Sequence, residues 1–410
     1  MKKYIAKYKG LPHEMIYICL AQVINRFGDF VVPFLTLFLT IKMGISASAA
    51  ASIVMLASVI GIPAALLGGK VADIIGRKTV YMISQSATAL FLIPCAFIPH
   101  SGLTVVLLLV SSFFASAVNP AFVAMITDIL PTNKRQQCFS LSYLSINIGV
   151  ALGPLVAGIL FNNRLTVFFL GDAATSFIAV LLIALHIPAS SFGKKAVVSA
   201  QSEKAASGNL FKMLLGRPQF LISFILKLIY DFVYSQHSFT IPLVLTQTFA
   251  ENGSEYYGYM MSINAITVLV FTLFLSSLTS KLHQLTNLSI VGVLYAIGFG
   301  GVCVINNFSG LLVSTMLWTS GEILCSVSSG VYIAANSPVN FRARIQSLNS
   351  CISLGGSSLG ILVCGIFTDV FGLSRIGVLL FAVAIIGAVL MYALKISACR
   401  SVLTGENVVS

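Results

Sequence analysis

Apolar runs of about 20 residues, separated by short polar interruptions, recur along the whole chain, and each can cross a hydrocarbon core of about 30 Å as a helix. Twelve such runs lie at approximately 14–40, 47–69, 79–98, 103–127, 139–161, 166–188, 218–246, 256–279, 288–306, 310–334, 345–369 and 375–397. The first and seventh are longer than a perpendicular crossing needs, so tilt or extension beyond the bilayer is expected. Backbone groups in lipid must be satisfied internally, which leaves helices or a closed barrel. Continuous apolarity without period-two alternation excludes the barrel. The pattern predicts an all-α polytopic membrane protein with twelve transmembrane helices.

Composition agrees with the pattern. Hydrophobic residues make up 57% of the 410-residue chain and charged residues 9%, against about 25% charged in a soluble domain. The net charge of +12 could point to nucleic acid, but its distribution does not. With a cytoplasmic N-terminus, one side of the membrane collects Lys2, Lys3, Lys7, Lys9, Lys70, Arg77, Lys78, Lys134, Arg135, Lys194, Lys195, Lys204, Lys212, Arg217, Lys281, Arg342, Arg344, Lys395 and Arg400. The other side holds only Lys42, Arg164 and Arg375. This is the positive-inside asymmetry, and it places both termini in the cytoplasm, with the chain in the cell (inner, cytoplasmic) membrane. The basic balance is therefore topological, and the bilayer rather than nucleic acid is the expected partner. Lys2 to Lys9 precede a full-length span without a cleavage pattern, so the first span itself is expected to target the protein.

One long polar interruption, IPASSFGKKAVVSAQSEKAASGNLFKMLLGRP from Ile187 to Pro218, divides the spans six and six. Its Ser, Ala, Gly and Lys content reads as a flexible cytoplasmic linker. The expected organisation is an N-terminal bundle at 1–188, a linker at 189–217, a C-terminal bundle at 218–397 and a cytoplasmic tail at 398–410. The two halves are related. At a constant offset of 207 residues, Pro131 matches Pro338, Arg135 matches Arg342, and Gly149, Gly153 and Gly158 match Gly356, Gly360 and Gly365.

Charge is concentrated in GGKVADIIGRKT, Gly68 to Thr79, between the second and third spans. Gly69 would allow close helix approach and Gly76 a tight turn, while Asp73 lies one turn before Arg77 and can pair with it. In the fifth span, GVALGPLVAG from Gly149 to Gly158 sets small residues around Pro154, which suits tight helix contact and a kink.

Ionisable residues inside spans are functional candidates by default. The first span has Arg26 and Asp29 about one turn apart in QVINRFGDFVVP. The seventh has Lys227 and Asp231 four apart, with His237 further on, in ILKLIYDFVYSQHSF. Glu322 sits mid-span in WTSGEILCSV, and Asp172 lies nearer the outer end of the sixth span in LGDAATS. Low dielectric disfavours a charged carboxylate, which suits groups that take up and release protons. Asp29, Asp231 and Glu322 are the proton-carrier candidates, with Arg26, Lys227 and His237 as modulators or substrate contacts. The DFV at Asp29 recurs at Asp231, although the repeat offset pairs Asp29 with the Gln236–Ser238 region. Phe30, Phe34, Tyr230, Tyr234 and Trp318 are candidate cavity aromatics that could equally face lipid or pack.

GKVADIIGRK resembles motif A of the major facilitator superfamily at Gly69, Asp73, Gly76, Arg77 and Lys78, and Gly149, Gly153, Pro154 and Gly158 resemble its antiporter motif, with Ala157 in place of a glycine. The resemblance implies two pseudo-symmetric six-helix bundles and alternating access to a central cavity, with motif A as a cytoplasmic latch. Two departures stand out: the fourth span lacks the intramembrane arginine of many proton-coupled drug exporters, and Ser276, Ser280 and Gln284 replace the second copy of motif A. Gln22-x-x-Asn25-Arg26-Phe27 also looks like the ExxERF of proton-dependent oligopeptide transporters, with both acids replaced by amides.

There is no GxxxxGK[ST] or HExxH pattern, and the eight cysteines and five histidines show no ligand spacing. The sequence thus predicts a transporter rather than an enzyme, with no cofactor or metal, working as a monomer on protons and a small-molecule substrate. Proton-driven efflux of amphipathic compounds is the leading expectation, and proton-coupled uptake of a peptide, sugar or other metabolite is the alternative.

Overall fold

The computed structural model describes residues 13–98, 101–129, 135–188, 214–337 and 342–403. The loops beginning at Pro131 and Pro338, most of the expected linker and the last seven residues of the expected tail lie outside the described residues. The described chain is helical: α1 (His13–Phe27), α2 (Val31–Leu37), α3 (Ala47–Ile75), α4 (Arg77–Cys95), α5 (Gly102–Ile129), α6 (Arg135–Asn163), α7 (Leu165–His186), α8 (Pro218–Tyr234), α9 (Thr240–Phe249), α10 (Gly253–Thr279), α11 (Gln284–Val302), α12 (Phe308–Asn336), α13 (Arg342–Phe371) and α14 (Ile376–Leu403). No strand occurs among the described residues.

Ten described stretches are long and apolar enough to cross a membrane. One of them, Pro218–Thr279, contains two crossings that part near Gly253. The 19-residue α4 is not among the ten, because Arg77, Lys78, Gln85 and several hydroxyls dilute its apolar run. Both observations are consistent with the twelve expected segments. Large side chains such as Leu66 (66% exposed) and Leu273 (78%) point outward, as a hydrocarbon solvent requires.

The first and seventh spans are not continuous helices. The first breaks at Gly28–Phe30 and resumes as α2, which runs on into a π-helical turn over Phe38–Lys42. The seventh breaks through a 3-10 turn at Ser235–His237 before α9. Their extra length is thus spent on a break as well as on any tilt. Pro63, Pro94, Pro120 and Pro154 lie inside helices that continue past them.

The chain forms two compact units. One comprises Met1–Ser46, Ile53–Val198 and Phe249–Ile266; the other comprises Ala47–Ser52, Ser199–Thr248 and Thr267–Ser410. In the first, α1 packs on α6 and α7, and α4 packs on α5 and α7. In the second, α8 packs on α13 and α14, and α11 packs on α12 and α14. The same four pairings recur, and for α1 on α6 and α8 on α13 the same small-residue contacts recur. Gly149 and Gly153 of α6 have the Val23 and Phe27 carbonyl oxygens where a side chain would start, and Gly356 and Gly360 of α13 have those of Leu228 and Phe232. Glycine at these points lets helix backbones approach without a hydrophobic driving force.

Candidate substrate and coupling site

In the first unit the site is built around the break in the first span. Arg26 Nη1 donates to Asp29 Oδ2 at 3.1 Å, across the end of α1. The two side chains remain 40% and 28% exposed, so the pair is open on one side. Asp172 of α7 is buried, and its Oδ2 accepts from the backbone N–H groups of Phe30 and Val31, each at 3.1 Å. Gln22 accepts from Ser142 at 2.7 Å, and Gln85 donates to Ser176 at 2.8 Å. These buried polar side chains tie α1 to α6 and α4 to α7. Phe30 and Phe34 are buried against Phe168, and Phe34 also meets Phe161 and Tyr257. They are packing residues in this structure.

In the second unit the charges are more enclosed. Lys227 Nζ donates to both carboxylate oxygens of Asp231, at 3.0 and 2.7 Å, and to Ser353 Oγ of α13 at 2.6 Å. The paired side chains are only 13% and 15% exposed. Lys227, Asp231 and Glu322 all lie within electrostatic range of Cys325, and Asp231 and Glu322 of Tyr295. Glu322 therefore belongs to the same cluster as the Lys227–Asp231 pair. Beside it stands an aromatic wall. Tyr234 stacks near His237 at 4.6 Å between ring centroids, His237 faces Trp318 at 6.2 Å, and Trp318 stacks on Phe299 at 5.3 Å. His237 Nδ1 donates to the Tyr234 carbonyl at 2.8 Å, which fixes the ring. Trp318 Nε1 and the Tyr230 hydroxyl are buried without a hydrogen-bond partner among the described residues. Buried donors of this kind cost free energy until something accepts from them.

The internal register differs from the sequence rhyme. Gly149 meets Arg26 Cβ as Gly356 meets Asp231 Cβ, and Val23 and Phe27 correspond to Leu228 and Phe232. Each of these pairs is 205 residues apart, so Asp231 is the counterpart of Arg26, and Asp29 corresponds to Tyr234. The shared DFV is out of register, and the 207 offset of the fifth and eleventh spans does not extend to the first and seventh.

The motif A residues fasten helix ends within the first unit. Gly76 has φ +96°, which supplies the turn between α3 and α4. Arg77 Nη1 donates to the Ala124 carbonyl at 3.0 Å. Lys78 Nζ donates to the Ala184 carbonyl at 2.8 Å and also to that of Ile187, at the C-terminal end of α7 where carbonyls lack helical partners. Asp73 faces Arg77 at 3.8 Å and is 74% exposed. The close helix approach falls to Gly68, where a Cβ would meet Ala117 Cβ and O at 2.8 Å, whereas one on Gly69 would meet only Pro120 Cβ at 4.0 Å. Further along α6, Gly158 faces the Ser254 carbonyl at 2.7 Å, and Gly258 of α10 faces the Pro154 carbonyl. Gly149, Gly153 and Gly158 thus each sit where a neighbouring backbone approaches closely, and the Pro154 carbonyl is met by Gly258.

The family model of the Major Facilitator Superfamily matches residues 18–361. The chain belongs to that superfamily. It is a multi-pass membrane transporter with the superfamily's fold. An uncharacterized MFS-type transporter, YqjV of Bacillus subtilis (strain 168), is 27% identical over 373 residues, covering 90% of each chain. A Na(+), Li(+), K(+)/H(+) antiporter of Planococcus maritimus is 22% identical over 345 residues, 77% of this chain and 80% of that one. Among solved structures, a POT family transporter in complex with 5-aminolevulinic acid aligns with TM-score 0.76 at 15% identity, over 94% of this chain and 96% of that one. The last likeness concerns the fold alone.

The sequence singled out Arg26, Asp29, Lys227, Asp231, His237 and Glu322, which the structure groups by unit, the first two beside Asp172. It missed Asp172 as the partner of a helix break, Ser353 as the third contact of Lys227, and the aromatic wall as a unit. For Asp172 a signal existed: a lone aspartate among small residues, in GDAATS, inside an apolar span.

Proposed function

We propose that this superfamily member is a proton-coupled exporter of small amphipathic compounds, a multidrug-type antiporter working by alternating access. The observation that carries the reading is the placing, within one unit, of Asp231 and Glu322 within electrostatic range of Tyr295, beside the aromatic group of Tyr234, His237, Trp318 and Phe299. Aromatic faces hold flat apolar bodies and attract cations, while carboxylates supply the charge that protons can neutralise. The antiporter among the relatives supports exchange against protons.

In this reading Asp29, Asp231 and Glu322 carry protons. Arg26, Lys227 and His237 set their charge balance or touch substrate. Gly69, Asp73, Gly76, Arg77 and Lys78 form a cytoplasmic gate, and the transporter acts as a monomer in the cell membrane with both termini cytoplasmic. The bundles are 1–188 and 218–397, joined by a cytoplasmic linker. Uptake by symport is the second reading, favoured by the Gln22-x-x-Asn25-Arg26-Phe27 likeness.

The test is reconstitution into liposomes with ethidium as the transported cation and a pH dye trapped inside. Export by exchange predicts protons moving against the ethidium flux, and about tenfold or greater loss of that flux in Asp29→Asn and Glu322→Gln. Protons moving with the substrate would replace antiport by symport. Full activity in both variants would remove them as carriers.

A further inference from the structure

The break in the first span is held from outside that span. Phe30 N–H and Val31 N–H begin α2, and no side chain of the break itself caps them. In hydrocarbon an unsatisfied backbone donor costs several kcal/mol, so a broken transmembrane helix needs an acceptor at this point. The Gly28 carbonyl accepts from Phe30 N–H at 2.7 Å, and Asp172 supplies the acceptor for Val31 while also reaching Phe30, one carboxylate oxygen lying 3.1 Å from each donor. The rest of the α7 face is shaped to the same end. A Cβ on Gly28 would collide with the Thr175 side chain, and one on Gly171 would lie 3.0 Å from the Phe30 ring. Thr175 is itself held by its hydroxyl, which donates to the Gly171 and Asp172 carbonyls at 3.0 and 2.9 Å.

Asp29 stands between Gly28 and Phe30, and both of those residues are seated on α7. The position of its carboxylate against Arg26 therefore depends on α7, and Asp172 and Asp29 lie within electrostatic range of one another. We propose that Asp172 is a positioning residue: it keeps the first span broken and thereby sets the Arg26–Asp29 pair for the transport cycle. The inference is independent of what is carried and in which direction.

The test uses the full-length protein in nanodiscs and in everted vesicles. Asp172→Asn keeps an oxygen that can accept both N–H groups, whereas Asp172→Ala keeps none. Hydrogen exchange at Val31 should stay at the wild-type rate in Asp172→Asn and rise about tenfold or more in Asp172→Ala, with a smaller rise at Phe30, which keeps the Gly28 carbonyl. With ethidium as the transport probe, Asp172→Ala should fall about tenfold, Asp172→Asn should stay within about threefold, and Asp29→Asn/Asp172→Ala should be no worse than Asp29→Asn alone. A double variant that multiplies the two losses would overturn the proposal. So would unchanged exchange in Asp172→Ala, or an Asp172→Asn variant as impaired as the alanine. Should Asp172→Ala fail to accumulate, Asp172→Asn decides: wild-type protection supports positioning, and fast exchange refutes it. A wild-type protein that does not move ethidium counts against the export reading, and the exchange rates then decide this inference alone.

Discussion

The first and seventh spans occupy equivalent places in the repeat, and both are broken, yet their breaks are held differently. In the first, Asp172, 141 and 142 residues away, accepts from the Val31 and Phe30 N–H groups, and the Gly28 carbonyl also accepts from Phe30 at 2.7 Å. In the seventh, the freed groups are satisfied locally. Ser238 N–H donates to the Ser235 carbonyl, the Phe232 carbonyl accepts from Gln236 Nε2 and Ser235 Oγ, and Thr240 Oγ1 donates to Gln236 Oε1. The charge pairs differ in parallel. Arg26–Asp29 is a single contact with much exposed surface, and Lys227–Asp231 is doubly bonded, anchored by Ser353 and nearly enclosed. A duplicated scaffold has thus placed an exposed pair in one unit and an enclosed pair in the other. In the proposed cycle Asp29 can change partner with little desolvation, whereas a proton taken up by Asp231 must replace its bonds to Lys227 beside the aromatic wall.

The largest expected effect tests that distinction directly. Lys227→Ala would leave Asp231 charged at 15% side-chain exposure, a loss of about 3–5 kcal/mol for an uncompensated buried charge. Arg26→Ala leaves Asp29 at 28% exposure, and its cost should be about 1 kcal/mol or less, as for exposed pairs. Thermal unfolding of the purified variants reads the difference. Lys227→Ala/Asp231→Ala should recover most of the loss, because removing both charges is far cheaper than removing one. Equal destabilisation by the two single variants would erase the contrast between the spans.

A second pair of variants asks where the two halves are the same. A methyl group at Gly153 would press on the Phe27 carbonyl, and one at Gly360 on that of Phe232. Both helix pairs must then separate slightly, so Gly153→Ala and Gly360→Ala should each destabilise by about 1–3 kcal/mol. Gly330→Ala is the control, since a Cβ there meets nothing within 4 Å, and it should be neutral or stabilising by up to about 1 kcal/mol. A large difference between Gly153→Ala and Gly360→Ala would show that one half tolerates a shift at the break that the other does not.

These contrasts explain how far the sequence could be read. Span number, all-α class and the repeat follow from apolar length and glycine spacing, because lipid leaves a backbone few choices. The glycines at 149, 153 and 158 and their counterparts at 356, 360 and 365 predict tight contacts, and the same kinds of neighbour fill them in each half. The breaks were not legible. Gly28–Phe30 sits inside an apolar run, and what stabilises a break there is a carboxylate contributed by a distant helix. The register error has a similar cause. DFV at Asp29 and Asp231 is a local rhyme, whereas correspondence is set by which carbonyl each glycine touches, and that shifts by two residues between helices. Candidate charges could be named from their cost in lipid, but their grouping with Trp318, Tyr295 and Cys325 depends on helix rotation.

The smallest expected effect lies at exposed helix ends, where the halves again share a position but not a charge. Asp369 of α13 accepts from the Ala47 and Ser48 N–H groups, at 3.2 and 3.0 Å, at the start of α3. Its counterpart in the repeat, Asn162 of α6, accepts from Ser254 Oγ at 2.8 Å and donates to the Glu251 carbonyl, at the start of α10. A carboxylate adds attraction to the positive helix terminus that an amide cannot, worth about 0.3–1 kcal/mol at low ionic strength. Asp369→Asn should lose that increment, and Asp369→Ala should lose about 1 kcal/mol with the cap itself. Raising the salt to about 1 M, where the Debye length is about 3 Å, should shrink the first loss more than the second. Unfolding temperatures of the two variants at low and high salt measure this. If Asp369→Asn matches wild type at low salt, the carboxylate acts only as an acceptor. Asn162 would then do the same work as Asp369, and the halves would be equivalent at this position.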